Sequence, residues 1–216
     1  MRAIVFDTET TGLDDPGLVQ SAWVEVDHMG ELAHPICGQM WNPGKPIGYG
    51  AMATHHILDA DVRECQPAAE FALPDGTTHL IGHNVDFDWK VIGEPDVKRI
   101  CTLALARRMW HDMDAHTLGA LLYRVMGADA RRALVDAHNA MADVGFCAHV
   151  LRAICAARRP ADLDDLWRMS EEARVPTHMT FGKHKGAALR DVPPDYKAWL
   201  MRQPDVDPYL MKALRA

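Results

Sequence analysis

The order of apolar runs along the chain predicts an α/β domain built on one mixed sheet. Strand-like runs come first and lie close together, later ones alternate with helical patterns, and turn signals separate them. The first run, Ala3-Ile4-Val5-Phe6, is short and apolar and ends abruptly in Asp7-Thr8-Glu9-Thr10-Thr11-Gly12, as a buried strand with polar chemistry at its exit would. Residues 18–26 form a second strand, β-branched and weakly alternating. Asp27-His28-Met29-Gly30 signals a turn, and residues 31–41 continue as a third strand in a hairpin until Asn42-Pro43-Gly44-Lys45-Pro46 breaks it. A helix is expected over 59–71. His79-Leu80-Ile81-Gly82 reads as a brief strand running into His83-Asn84-Val85-Asp86-Phe87-Asp88-Trp89, and Lys98-Arg99-Ile100-Cys101 as a fifth. Residues 102–110, 116–126 and 138–157 carry apolar side chains at the three- and four-residue spacing of helices.

Arg158-Arg159-Pro160 closes the last of these helices and marks a boundary. Residues 1–160 are expected to be the main domain and 161–176 a linker with a polar helix over 163–174. Residues 177–216 form a small α+β module, with a glycine-turned hairpin over 180–186 and short helices around Trp199 and Leu210.

At 48% hydrophobic and 25% charged, the composition is that of a globular chain, not a disordered tail, a fibre or a membrane bundle. Five scattered cysteines with no Cys-x-x-Cys pair argue against a disulfide framework and a zinc site, and for buried thiols in a reducing compartment. The N-terminal apolar run is too short for a signal peptide and no uninterrupted stretch nears the length of a bilayer span, so a cytoplasmic location and no membrane partner are expected. The formal charge is −7, which on its face argues against a nucleic-acid partner. The charge is unevenly spread, however. Residues 177–216 hold 7 Lys and Arg against 4 Asp, and are the only net-basic segment beside 1–160 and 161–176.

The sharpest chemical signal is Asp7-Thr8-Glu9. Strand side chains alternate with period two, so both carboxylates face one side. Like charges so placed are unfavourable unless something neutralises them, and a hard divalent cation with oxygen ligands does so. Asp86 and Asp88 follow a core strand, where acids also serve a helix N-terminus. His138 and Asp143 lie five apart in the pattern of the long helix, on different sides of it, and border one cavity from adjacent turns.

Taken in order, Asp7-Thr8-Glu9-Thr10-Thr11-Gly12, His83-Asn84-Val85-Asp86-Phe87-Asp88 and His138-Asn139-Ala140-Met141-Ala142-Asp143 resemble the three motifs of the DnaQ-like (DEDDh) 3′–5′ exonucleases. Ala51-Met52-Ala53-Thr54-His55-His56-Ile57, residues 100–110 and Thr180-Phe181-Gly182-Lys183-His184-Lys185-Gly186 narrow the resemblance to the exodeoxyribonuclease X group. The resemblance implies a ribonuclease H-like sheet of five strands flanked by helices, and hydrolysis of DNA from its 3′ end with two Mg²⁺ (or Mn²⁺) ions to release 5′-mononucleotides. It places Asp7, Glu9, Asp88 and Asp143 on the metals and makes His138 the general base. Single-stranded and double-stranded DNA 3′ ends are the implied partners. An exoribonuclease of the same chemistry is the alternative, and a non-catalytic nucleic-acid-binding relative a third. Thr10, Thr11, Gly12 and Leu13 lie where family members seat the terminal nucleotide, although Gly12 also suits a plain turn. Phe87 touches a base or packs in the core, and His55 lines the cleft or makes a structural hydrogen bond. Lys183 and Lys185, with Phe181, Tyr196 and Trp199 nearby, form a basic patch suited to a nucleic-acid backbone, the aromatics serving also as that module's core. Gln20 stands where many relatives carry a glutamate.

Overall fold

The computed structural model describes residues 1–215. Its centre is a five-stranded sheet in the order β3-β2-β1-β4-β5. The strands are β1 (Arg2–Thr10), β2 (Leu18–Val26), β3 (Cys37–Met40), β4 (Thr77–Gly82) and β5 (Lys98–Cys101). β1 pairs antiparallel with β2 and β2 with β3, whereas β1, β4 and β5 run parallel. This is the mixed sheet the sequence predicts. Short connections close the antiparallel side, and helical crossovers supply the parallel side.

The helices are α1 (Tyr49–His55), α2 (Asp59–Val62), α3 (Asp86–Val91), α4 (Thr102–Met109), α5 (Leu118–Met126), α6 (Ala130–Ala133), α7 (Ala140–Arg158), α8 (Leu163–Arg174), α9 (Pro194–Leu200) and α10 (Pro208–Arg215). α7 lies across β1 and β2 and packs on α4 and α5. It is apolar and long enough to cross a membrane, but Val144, Cys147, Val150, Leu151, Ile154 and Cys155 are buried against the sheet, as a central core helix requires. α8 packs on β5 and α4, and its Leu166 and Ala173 belong to the same core as Ile4, Phe6, Leu80 and Ile100. Met179, Leu189, Val192, Leu200 and Leu210 form a separate core in the last forty residues.

Four departures of the observed elements from the sequence expectations have a physical reason or a consequence for the site. The third strand is confined to Cys37–Met40, because Pro35 cannot donate to the ladder. Before it there is only a bridge from Leu32 to Val26. The helix expected over 59–71 stops at Val62, and a 3₁₀ turn follows at Ala68–Glu70. Pro67 lies between them, and a residue before proline is driven out of the α region. The hairpin expected over 180–186 is a turn whose pairing is a single antiparallel bridge, His178 to Ala188. The long helix starts at Ala140, two residues later than expected, so His138 lies outside it. Asn139 caps it, its side chain accepting from Met141 N–H at 3.1 Å, and His138 takes a left-handed φ of 65°.

Candidate active site

Three distant segments meet at the end of β1. Asp7 and Glu9 project from one side of the strand, next to a register irregularity between Glu9 and Thr10. Such a bulge re-aims side chains at a sheet edge. Asp143 arrives from the first turn of α7. Asp7, Glu9 and Asp143 each offer a carboxylate oxygen, and the three lie within 4.8 Å of one another. Asp88, on the one-and-a-half-turn helix after β4, is 4% exposed. One of its oxygens, Oδ1, accepts from Thr8 Oγ1 at 2.6 Å and from Thr8 N–H at 3.0 Å. That pair of hydrogen bonds fixes one oxygen and leaves Oδ2 for another partner.

The electrostatics of this cluster are one-sided. Burial, followed by the charges of Asp88, Asp143 and Glu9, holds the Asp7 carboxyl well above the usual range. Burial and then Asp143 and Asp88 push Glu9 up to about 8. Asp88 rises to about 7 by burial, against the pull of the Thr8 bonds. Asp143 is raised by burial, with His138 drawing it back through its charge and its backbone N–H. Among the described residues, no lysine or arginine enters these balances. Four buried or half-buried acids without a cationic side chain are unfavourable as carboxylates, and their all-oxygen donor set fits a hard divalent cation.

His138 sits on the exposed rim beside Asp143, released from the helix by its left-handed backbone. Gln20, opposite Glu9 in the β1–β2 register, accepts from Ala140 N–H at 3.0 Å in a buried bond. It thereby ties the strand pair to the start of the helix that bears Asp143. Sequence reasoning singled out neither Thr8 nor Gln20 for this. The signals present were a hydroxyl between two acids and an amide where a carboxylate is usual.

Against this geometry the likeness to known proteins is specific. Exodeoxyribonuclease 10 of Escherichia coli (strain K12) is 31% identical over 211 residues, spanning 93% of this chain and 91% of that protein. The chain belongs to the exodeoxyribonuclease X family. A solved structure described as Exonuclease X in complex with 5′ overhanging duplex DNA superimposes with a TM-score of 0.64 at 28% identity, covering 78% of this chain and 99% of that one. A DNA polymerase III subunit epsilon-like protein of Rhodobacter capsulatus is 31% identical over 138 residues, 56% of this chain and 20% of that protein. An exonuclease I structure shares the fold with a TM-score of 0.63 at 14% identity, over 97% of this chain and 61% of that one. No family model matches the chain.

The other residues that the exodeoxyribonuclease X resemblance marks fall in different surroundings. Thr10 and Thr11 are buried at the exit of β1, where Thr10 Oγ1 donates to Gly12 O at 2.9 Å. Gly12 has open space about it and Leu13 is 84% exposed. His55 is buried. Its Nδ1 accepts from Ile57 N–H at 3.0 Å, so the proton lies on Nε2 and is donated to Thr10 O at 3.2 Å. Phe87 is half-buried. Asp86, in the same motif as Asp88, faces away and bridges Arg99 and Arg174, each at 2.6 Å. Lys183 and Lys185 are exposed on the separate C-terminal module.

Proposed function

We propose that this protein is a metal-dependent 3′–5′ exodeoxyribonuclease, hydrolysing DNA from its 3′ end to 5′-mononucleotides. The observation that carries it is the convergence of Asp7, Glu9 and Asp143, with Asp88 beside them, in a chain 31% identical to Exodeoxyribonuclease 10 over nearly its whole length. The four acids would hold two divalent cations, Mg²⁺ or Mn²⁺. When bound, the cations would supply positive charge to the phosphate and to the entering and leaving oxygens.

The chain's own residues perform the remaining tasks. His138, at the solvent rim beside Asp143, takes the proton of the attacking water on an imidazole nitrogen. Thr8 keeps Asp88 oriented, and His55 fixes the Thr10 carbonyl in the segment that would seat the terminal nucleotide. The exposed Leu13 and the open backbone at Gly12 face that nucleotide. We further propose that residues 1–160 hold the chemistry, that 161–176 join them to 177–216, and that DNA is the preferred polymer.

The test is hydrolysis of DNA and RNA oligonucleotides of one sequence, labelled at either end, with Mg²⁺, Mn²⁺ or EDTA. Mononucleotides should leave the 3′ end of DNA, none should form in EDTA, and Asp7→Asn should lose several orders of magnitude in turnover. Equal activity in EDTA, or full activity of Asp7→Asn, overturns the reading.

A further inference from the structure

The core of the C-terminal module leaves two of its aromatic rings about half outside. Trp199 is 47% exposed and Phe181 48%. Tyr196 stands between two other rings, edge-on to His184 with centroids 4.6 Å apart and tilted against Trp199 at 5.3 Å. Lys183 and Lys185 flank His184 in a turn held by Gly182 and Gly186, at φ 72° and 87°. A side chain at Gly182 would meet Tyr196 Oη at 2.8 Å, so the lysine turn presses directly on the ring. A single exposed ring needs no explanation. Three in file, with lysines on either side of the first and in a net-basic module, form the combination by which proteins hold single strands: faces for bases and charges for phosphates.

The module is also fixed to the larger domain. The Tyr209 hydroxyl donates to Glu171 at 3.1 Å, and its ring lies 5.3 Å from the Arg174 guanidinium. The His178 ring meets the His111 ring at 5.5 Å, in the loop between α4 and α5. Arg174 in turn holds Asp86, and His116 of that loop bonds His83 at 2.9 Å. Both contacts thus reach the segment that carries Asp88.

We infer that the Tyr196–Trp199 face, with Lys183 and Lys185, is a second binding site for single-stranded DNA, in which bases stack on the rings and the two lysines take phosphates. Only the identity of the polymer rests on the exonuclease reading.

The test measures binding of a fluorescent oligo-dT, about 20 nucleotides long so that it spans both sites, across a salt series in EDTA. Trp199→Ala should weaken binding by roughly five- to a hundred-fold, and Trp199→Phe should restore most of it. Lys183→Ala with Lys185→Ala should flatten the slope of log affinity against log salt by about 1.4. With metal present, the loss in kcat/KM should be greater on the oligonucleotide than on a dinucleotide. Unchanged affinity in both variants, equal losses on the two substrates, or tighter binding of the RNA counterpart overturns the inference. Wild-type protein that binds oligo-dT through Trp199 but hydrolyses no DNA sinks the exonuclease reading and leaves the platform standing. Hydrolysis with Trp199-independent binding does the reverse.

Discussion

Thr8 sits between Asp7 and Glu9 in sequence, and its backbone and hydroxyl both bond the acid of the second motif, eighty residues away. Thr8→Val keeps the shape and the backbone bond but removes the hydroxyl. Because groups that orient ligands matter nearly as much as the ligands, metal affinity or turnover should fall about 10- to 100-fold with the fold intact. Metal-titrated hydrolysis and circular dichroism check this. Gln20→Ala leaves the Ala140 N–H buried without an acceptor, at a cost of about 1–3 kcal/mol, measurable by urea unfolding. Turnover should fall too, since the start of α7 places both His138 and Asp143. The acids themselves were legible in the sequence, because the period of a strand puts Asp7 and Glu9 on one side. The partners of Asp88 and of Ala140 were not, since each bond joins residues far apart along the chain.

Among the elements, α7 brings Asp143 to the site and α8 braces β5 and α4 behind it. α7 begins where Asn139 can cap it, which separates His138 from Asp143 and puts the histidine on the rim. The apolar spacing that predicted the helix runs through its first residues and carries no signal for that break. α8 is polar along its exposed side, and its sequence suggested a linker. Yet its Ser170 is fully buried, with Oγ accepting from Cys101 N–H at 2.8 Å at the end of β5. Ser170→Ala should cost about 1–3 kcal/mol in denaturant unfolding by stranding that N–H, and an exposed change such as Glu172→Ala on the same helix should cost almost nothing. The helix expected over 59–71 could not have run its full length for a legible reason, the proline at 67.

At the scale of the whole molecule, the acid cluster sets how stability depends on pH and metal. Glu9 and Asp88 bind protons up to about 8 and 7 in the fold, but near ordinary carboxylate values when unfolded. Their contribution without metal is therefore present below about pH 4 and is lost as pH rises through 7 to 8. His83 acts oppositely. Burial depresses it to about 4, and its contribution, present above about 6.5, is lost as pH falls toward 4. It lies on Thr102 and His116, so it affects metal-bound and metal-free protein alike. The rise in Tm on adding Mg²⁺ or Mn²⁺ over EDTA should therefore be larger at pH 8 than at pH 5, by calorimetry. An equal rise at both would argue against these acids as the metal site. The net charge of −7 misled for a related reason: it averages an acidic, cation-seeking cluster with a basic module. By itself, the sequence determined the mixed sheet, the acids at the end of its first strand and the order of the three motifs, because strand period, helix spacing and turn chemistry are local. Only the tertiary structure decided that Asp86 is a structural ion pair while Asp88 is a site acid, that His138 stands outside its helix, and that Trp199 faces solvent. Those outcomes depend on contacts between segments tens of residues apart and on which face packing covers, and no local pattern records either.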